Sequence, residues 1–101
     1  MSSDNLHLIT ENEEQCILWK NNQLTYIAQN RNEIPAILAI KFGHLARKLD
    51  LSYNTLTSFK HIDLFVNLNE LILDNNLLND ENFYLKPNLR LKTLSINKNK
   101  V

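Results

Sequence analysis

Apolar residues recur along the chain at positions that repeat with a nearly constant spacing. Four segments follow the pattern L-x-x-L-x-L-x-x-N-x-L fully or in part, and they are 24–34, 46–56, 68–78 and 91–101. The second has Ala46 in its first position, and the first departs most because Gln29 falls in the sixth, apolar position. The asparagines of the four copies lie at 32, 54, 76 and 99, which are 22, 22 and 23 residues apart. This period predicts four stacked copies of one structural unit.

Each copy predicts a short strand, a turn and a return segment. The fourth and sixth positions are apolar and alternate with polar ones, as in a strand with one buried face. An asparagine amide can bond both donors and acceptors of the turning backbone, and this role falls to Asn32, Asn54, Asn76 and Asn99. Phe59, Ile62 and Phe65 are three residues apart and predict a 3₁₀ or short helical return. The return of the first copy is expected to use Ile37, Leu38, Ile40 and Phe42.

These features are typical of an α/β leucine-rich-repeat solenoid, with short parallel strands on a concave face and irregular, 3₁₀ or short helical returns on a convex face. Two β-prone runs around Asn21-Asn22 predict an N-terminal β-hairpin-like cap, with Ile17 and Trp19 covering the end of the core. We expect a flexible acidic N-terminus at 1–15 and a repeat domain at 16–101. Within it we expect the cap at 16–23, repeats at 24–45, 46–67 and 68–90, and a truncated repeat at 91–101.

Composition excludes several classes of function. Eleven basic residues balance eleven acidic ones, so no overall field favours nucleic acid or an anionic membrane. The single cysteine, Cys16, excludes an internal disulfide framework and favours a reducing compartment. The chain shows no signal peptide and no apolar run long enough to span a membrane. We therefore expect a cytoplasmic, non-secreted protein whose binding depends on a local surface.

The outward strand positions form the candidate site, because they align in columns across a stacked sheet. The candidate partner-binding residues are Lys48, Asp50, Tyr53, Glu70, Ile72, Asp74, Ser95 and Asn97. The first copy is expected to add Tyr26, Ala28, Asn30 and Arg31. Tyr53 beside Ile72, rimmed by charged residues, has the composition of a small protein-binding hot spot. The alternative is a solvated face on which Lys48 and Glu70 form a cross-strand charge pair.

Catalytic and metal chemistry is not expected. Asp50 and Asp74 lie on neighbouring predicted strands, but no third ligand, enclosing pocket or glycine loop accompanies them. His7, His44 and His61 show no metal spacing, and Cys16 is expected to be a buried structural thiol. The basic residues between 86 and 100 point in scattered directions without aromatic platforms, which favours a solvated edge over an RNA site. We expect no enzyme activity, no cofactor and no bound metal.

The residues that link the repeat positions resemble the family of leucine-rich melanocyte differentiation-associated proteins. The resemblance covers most of residues 26–99 and is carried by YIAQNRNEIP (26–35), GHLARKLDLSYN (43–54), ELILDNN (70–76) and LKTLSINKN (91–99). It implies an intracellular adaptor without enzymatic activity, linked to melanocyte differentiation and to melanosome or endosomal traffic through a Rab-type small GTPase. The family continues past the position of Val101, with a further repeat and a C-terminal cap.

Two relatives in repeat style keep alternatives open. They are the spliceosomal A-prime protein, which suggests a ribonucleoprotein component, and the phosphatase regulatory subunits built from 22-residue repeats. Because Val101 fills the eleventh position of the last copy, we expect an uncovered strand edge there, with edge-to-edge pairing of two chains as a foreseeable artefact. A fragment, a splice form and a partial gene model would all have this sequence.

Overall fold

The computed structural model describes residues Leu6–His7, 17–81 and 90–100, which form a small α/β domain around one sheet. The six strands lie in sequence order and are β1 Leu6–His7, β2 Ile17–Lys20, β3 Gln23–Thr25, β4 Lys48–Asp50, β5 Glu70–Ile72 and β6 Thr93–Ser95. The first three strands pair antiparallel, and β3 to β6 are parallel. The predictions for Cys16, Val101 and the remainder of 1–15 lie outside the described residues, as does segment 82–89.

The core lies on one face of this sheet. In each of β3, β4 and β5 the middle residue is a leucine with no exposed surface, and its two neighbours point to the other face and are half-buried. The register aligns these leucines across the strands, so Leu24 lies beside Leu49 and Leu49 beside Leu71. In these three strands, alternating burial therefore places the first and last side chains on the opposite face.

The hairpin predicted around the two asparagines is present. Asn21 and Asn22 connect β2 to β3 with φ of 52° and 62°, which is the backbone of a tight two-residue turn that asparagine tolerates well. Ile17 is fully buried, and the ring of Trp19 packs 4.8 Å from the ring of Phe42. The prediction that residues 1–15 lack structure is wrong at Leu6–His7, because this strand pairs with β2 and extends the sheet.

Two short helical segments cover the core side of the sheet. Helix α1, Ala36–Phe42, begins after Pro35, which cannot donate a backbone hydrogen bond and suits the start of a helix. It contains all four residues expected in this return and buries Leu38 and Phe42, whereas the side chains of Ile37 and Ile40 are 42% and 69% exposed. A seven-residue helix that packs one face on the core leaves its other face to solvent.

The second return contains the predicted 3₁₀ helix, at Ile62–Leu64. Ile62 and Phe65 are buried, and Phe59 packs against the same core. Apolar residues at every third position suit a 3₁₀ helix because its side chains repeat every three residues. Helix α1 ends close to this segment at Gly43, where an added Cβ would lie 2.5 Å from the carbonyl oxygen of Leu64.

The first copy is shifted relative to the sequence alignment. Leu24 pairs with Leu49, 25 residues later, whereas the next pairings span 22 and 23 residues. Consequently Tyr26, expected on the outer face, is 1% exposed, while Ile27, expected in the core, is 36% exposed. Burying the large tyrosine ring removes more apolar surface from water than burying the isoleucine does. The first copy is three residues longer than the second. The predicted repeat boundary at residue 24 therefore falls inside β3.

Among the described residues, no helix is long and apolar enough to cross a membrane.

Candidate functional site

The face of the sheet opposite the core carries polar and apolar side chains in two rows that the strand register defines. We call this surface the open face. The first row consists of Lys20, Gln23, Lys48, Glu70 and Thr93. The second row consists of Leu18, Thr25, Asp50, Ile72 and Ser95. Because neighbouring strands are about 4.8 Å apart, each row is a line of closely spaced side chains.

The open face brings together seven of the eight candidate residues, and the eighth, Tyr53, lies in a turn beyond the end of β4. Lys48, Asp50, Glu70, Ile72 and Ser95 lie in the two rows, and Asp74 and Asn97 continue them beyond the ends of β5 and β6. Tyr53 lies in the turn after β4, where its backbone N–H donates to the carbonyl oxygen of Asp74 at 3.0 Å.

Lys48 and Glu70 form the predicted cross-strand charge pair. The Lys48 Nζ atom lies 3.6 Å from a Glu70 carboxylate oxygen, and about a third of each side chain is exposed (33% and 37%). An ion pair with this exposure is screened by water and stabilises the fold by only a few tenths of a kcal/mol up to about 1 kcal/mol. Its main consequence is that the two charges largely cancel on the open face.

The two aspartates are held by neutral groups. Oδ1 of Asp50 accepts hydrogen bonds from the backbone N–H and the hydroxyl of Ser52, at 3.1 and 2.6 Å. Oδ1 of Asp74 accepts them from the hydroxyl of Ser95 and the backbone N–H of Asn97, at 2.6 and 2.9 Å. None of these four donors carries a charge. Both carboxylates are therefore fixed in position, and Oδ2 of each takes part in none of these bonds.

Tyr53 has an unusual combination of backbone and exposure. Its φ is 60°, in the left-handed region, and its side chain is 62% exposed. Ala28, Asn75 and Lys98 occupy the equivalent turns with φ of 59–60°. Asparagine tolerates this conformation better than a bulky residue does. Neither a backbone preference nor burial in the core therefore explains why residue 53 is a tyrosine.

Three asparagines connect the four turns that follow β3, β4, β5 and β6. Nδ2 of Asn76 donates to the carbonyl oxygens of Leu51 and Leu73, at 3.1 and 3.0 Å, and so bridges two neighbouring turns. Asn54 makes the same bridge one strand earlier, and Asn99 makes it one strand later. The Oδ1 atom of Asn76 accepts from the backbone N–H of Leu56 at 2.9 Å. We call Asn54, Asn76 and Asn99 the asparagine ladder. It fixes the turn that contains Tyr53.

The role assigned to Asn32 is wrong. Its side chain is exposed, and the strand register puts Gln29 in the position equivalent to Asn54. The backbone N–H of Gln29 donates to Oδ1 of Asn54 at 2.9 Å, so the ladder begins at Asn54. The same three-residue shift buries Tyr26 and places Ala28 in the turn equivalent to that of Tyr53, so neither lies in a row of the open face. In their place the structure positions Gln23 and Thr25.

Sequence reasoning also missed the contribution of the hairpin. Leu18 and Lys20 point to the open face and are exposed, whereas the hairpin was expected to cap the end of the core. With Asn21, Gln23 and Thr25 they line an open depression of about 160 Å³. The alternation of buried and exposed residues in Ile17–Lys20 was a signal for this arrangement, because a strand that buries Ile17 presents Leu18 to the other face.

The described residues hold no group of three or more metal-ligating side chains. Comparisons with family models, with curated proteins and with solved structures each gave no match.

Proposed function

We propose that the chain is a leucine-rich-repeat solenoid that acts as a non-catalytic module binding another protein through its open face, the concave face of such a solenoid. The sequence period, the parallel strands and the asparagine ladder support the repeat assignment. The candidate contact residues are Lys48, Asp50, Tyr53, Glu70, Ile72, Asp74, Ser95 and Asn97.

The observation that carries the proposal is Tyr53. Backbone strain and solvent exposure both disfavour a tyrosine here, and such costs are typically retained where a side chain serves function. Tyrosine is enriched among the residues that dominate binding energy at protein interfaces. Ile72 lies beside Asp50 in the adjacent strand and gives the surface a second apolar contact.

The proposal is tested by a pair of double variants. Tyr53→Lys with Ile72→Lys alters the open face, and Ile37→Lys with Ile40→Lys alters exposed apolar residues of helix α1. Each double variant is immobilised, and the proteins that it captures are quantified by mass spectrometry. Circular dichroism checks that both variants are folded. We expect the first variant to lose partners that the second retains. Equal capture by both variants would exclude the open face as the binding surface.

The resemblance described above makes a Rab-type small GTPase or a trafficking complex in the cytoplasm the first partner to test. Purified GTPases of this type, in the GDP and GTP states, provide a direct binding assay. The ribonucleoprotein alternative is supported by the exposed basic residues Arg90, Lys92, Lys98 and Lys100 near β6. Small nuclear RNA in the captured material, lost on Lys92→Glu with Lys98→Glu, would favour that alternative.

A further inference from the structure

The second row of the open face contains two apolar residues separated by polar ones. Leu18, in the hairpin, is 42% exposed, and Ile72, in β5, is half-buried. Thr25 and Asp50 lie between them in register. Three strand spacings separate the two apolar residues, a distance of about 14 Å. The open face therefore offers two apolar contacts at a defined separation.

One charged residue lies between these contacts, and it is the negatively charged Asp50. Glu70 is paired with Lys48, but Asp50 and Asp74 bond only to neutral donors. Among the residues that the structure describes, no cation lies within ion-pair distance of either aspartate. A partner that brings a cation to Oδ2 of Asp50 would gain a charge-assisted hydrogen bond to a carboxylate already held in place.

An extended chain matches this arrangement when it crosses the strands. Side chains at i, i+2 and i+4 point to one side, and four residues of extended chain span about 13 Å. With an apolar residue over Ile72, the i+2 side chain lies near Asp50 and the i+4 side chain reaches Leu18. A lysine or arginine at i+2 is long enough to accommodate the difference between about 6.6 Å along the peptide and one strand spacing of about 4.8 Å.

We propose that the open face binds an extended basic segment of a partner protein, with apolar residues at i and i+4 and a lysine or arginine at i+2, along the row from Ile72 through Asp50 to Leu18. This inference rests on the proposed function and specifies its partner. The depression lined by Leu18, Lys20, Asn21, Gln23 and Thr25 receives the i+4 side chain. The hairpin thereby becomes part of the binding surface.

The test is a selection of random peptides displayed on phage against the 101-residue chain. We expect the enriched peptides to carry a basic residue flanked two positions away by apolar ones. Binding of the best peptide is then measured by fluorescence anisotropy. Asp50→Asn and Leu18→Ser should each weaken it about tenfold or more, as expected for losing a charged or an anchoring contact. The matched control, Ile37→Ser on helix α1, should leave the Kd unchanged.

The outcomes separate this inference from the proposed function. If the peptides lack a basic residue, or bind Asp50→Asn and Leu18→Ser as tightly as the original chain, the proposed row is wrong. If Tyr53→Asn or Ile72→Ser still weakens the binding of those same peptides, the open face remains the binding surface. When selection enriches no peptide, the inference fails as well, and the protein-capture experiment alone decides whether the open face binds a folded partner.

Discussion

Tyr53 combines a left-handed backbone with an exposed aromatic ring, and these properties predict opposite effects of one substitution. Tyr53→Asn should raise the free energy of unfolding by a few tenths to about 1 kcal/mol, because asparagine adopts positive φ at lower cost. The same change removes the ring and should weaken partner binding. Urea unfolding measures the first effect, and capture or peptide affinity measures the second.

The reciprocal variant is the control for the backbone argument. Asn75 occupies the equivalent turn one strand later, also with φ of 60°. Asn75→Tyr should lower the free energy of unfolding by an amount similar to the gain at Tyr53→Asn. A loss of stability on Tyr53→Asn would show that the tyrosine ring packs favourably in the fold, and the functional argument from strain would then be withdrawn.

At the scale of the element, the asparagine ladder predicts which asparagine substitutions lower the free energy of unfolding. Asn76→Ala leaves the buried N–H of Leu56 without this partner, while the carbonyl oxygens of Leu51 and Leu73 each lose one hydrogen bond but keep those from Asn54 and Asn99. Since an unsatisfied buried group costs about 1–3 kcal/mol, the free energy of unfolding should fall by roughly 1–3 kcal/mol. Asn32→Ala, at an exposed side chain, should change it by less than about 0.5 kcal/mol. Equal losses in chemical unfolding would contradict the shifted register.

Helix α1 and the 3₁₀ helix meet at Gly43. An added Cβ there would lie 2.5 Å from the carbonyl oxygen of Leu64 and would also collide with the carbonyl oxygen of Ala39. Gly43→Ala should therefore lower the midpoint of thermal unfolding, because both contacts are with backbone atoms that have little freedom to move. Ala36→Gly, at an exposed position in the same helix, should be much milder. Similar melting of the Gly43→Ala variant and the original chain would show that the two segments can separate at little cost.

The sequence predicted strands β2 to β6, the 3₁₀ return and the hairpin turn, because period, spacing and turn residues are local signals, but it did not predict β1. The sequence alignment misplaced the first copy because Ile27 fits the buried fourth position of the pattern. In the structure Leu24 occupies that position and Tyr26 occupies the buried sixth one. A period constrains where copies begin only if no residues are inserted, and here the pairing of Leu24 with Leu49 adds three. Leu18 contributes to the open face because β3 pairs with β4 and so joins the hairpin to the parallel strands. Composition does not encode this nonlocal pairing.

At the scale of the whole molecule, we expect β6 to determine how copies of the chain interact. Leu94 is 38% exposed, whereas Leu49 and Leu71 in the same position of β4 and β5 have no exposed surface. No strand within the described residues pairs with the outer edge of β6. An edge with free backbone groups and an exposed leucine favours pairing with a second chain. The nearby charges oppose that pairing, because Arg90, Lys92, Lys98 and Lys100 are all exposed.

We therefore expect the 101-residue chain to be monomeric at low ionic strength and to self-associate as salt is added. At about 1 M salt the screening length falls to about 3 Å, so the basic residues of two copies no longer repel each other effectively, while apolar contact is retained. Light scattering at increasing NaCl concentration measures this directly. Leu94→Ser should remain monomeric throughout, whereas Leu77→Ser, at an exposed leucine outside β6, should behave like the original chain. A dimer that dissociates with salt would instead indicate an interface held by ion pairs, and β6 would then not be its site.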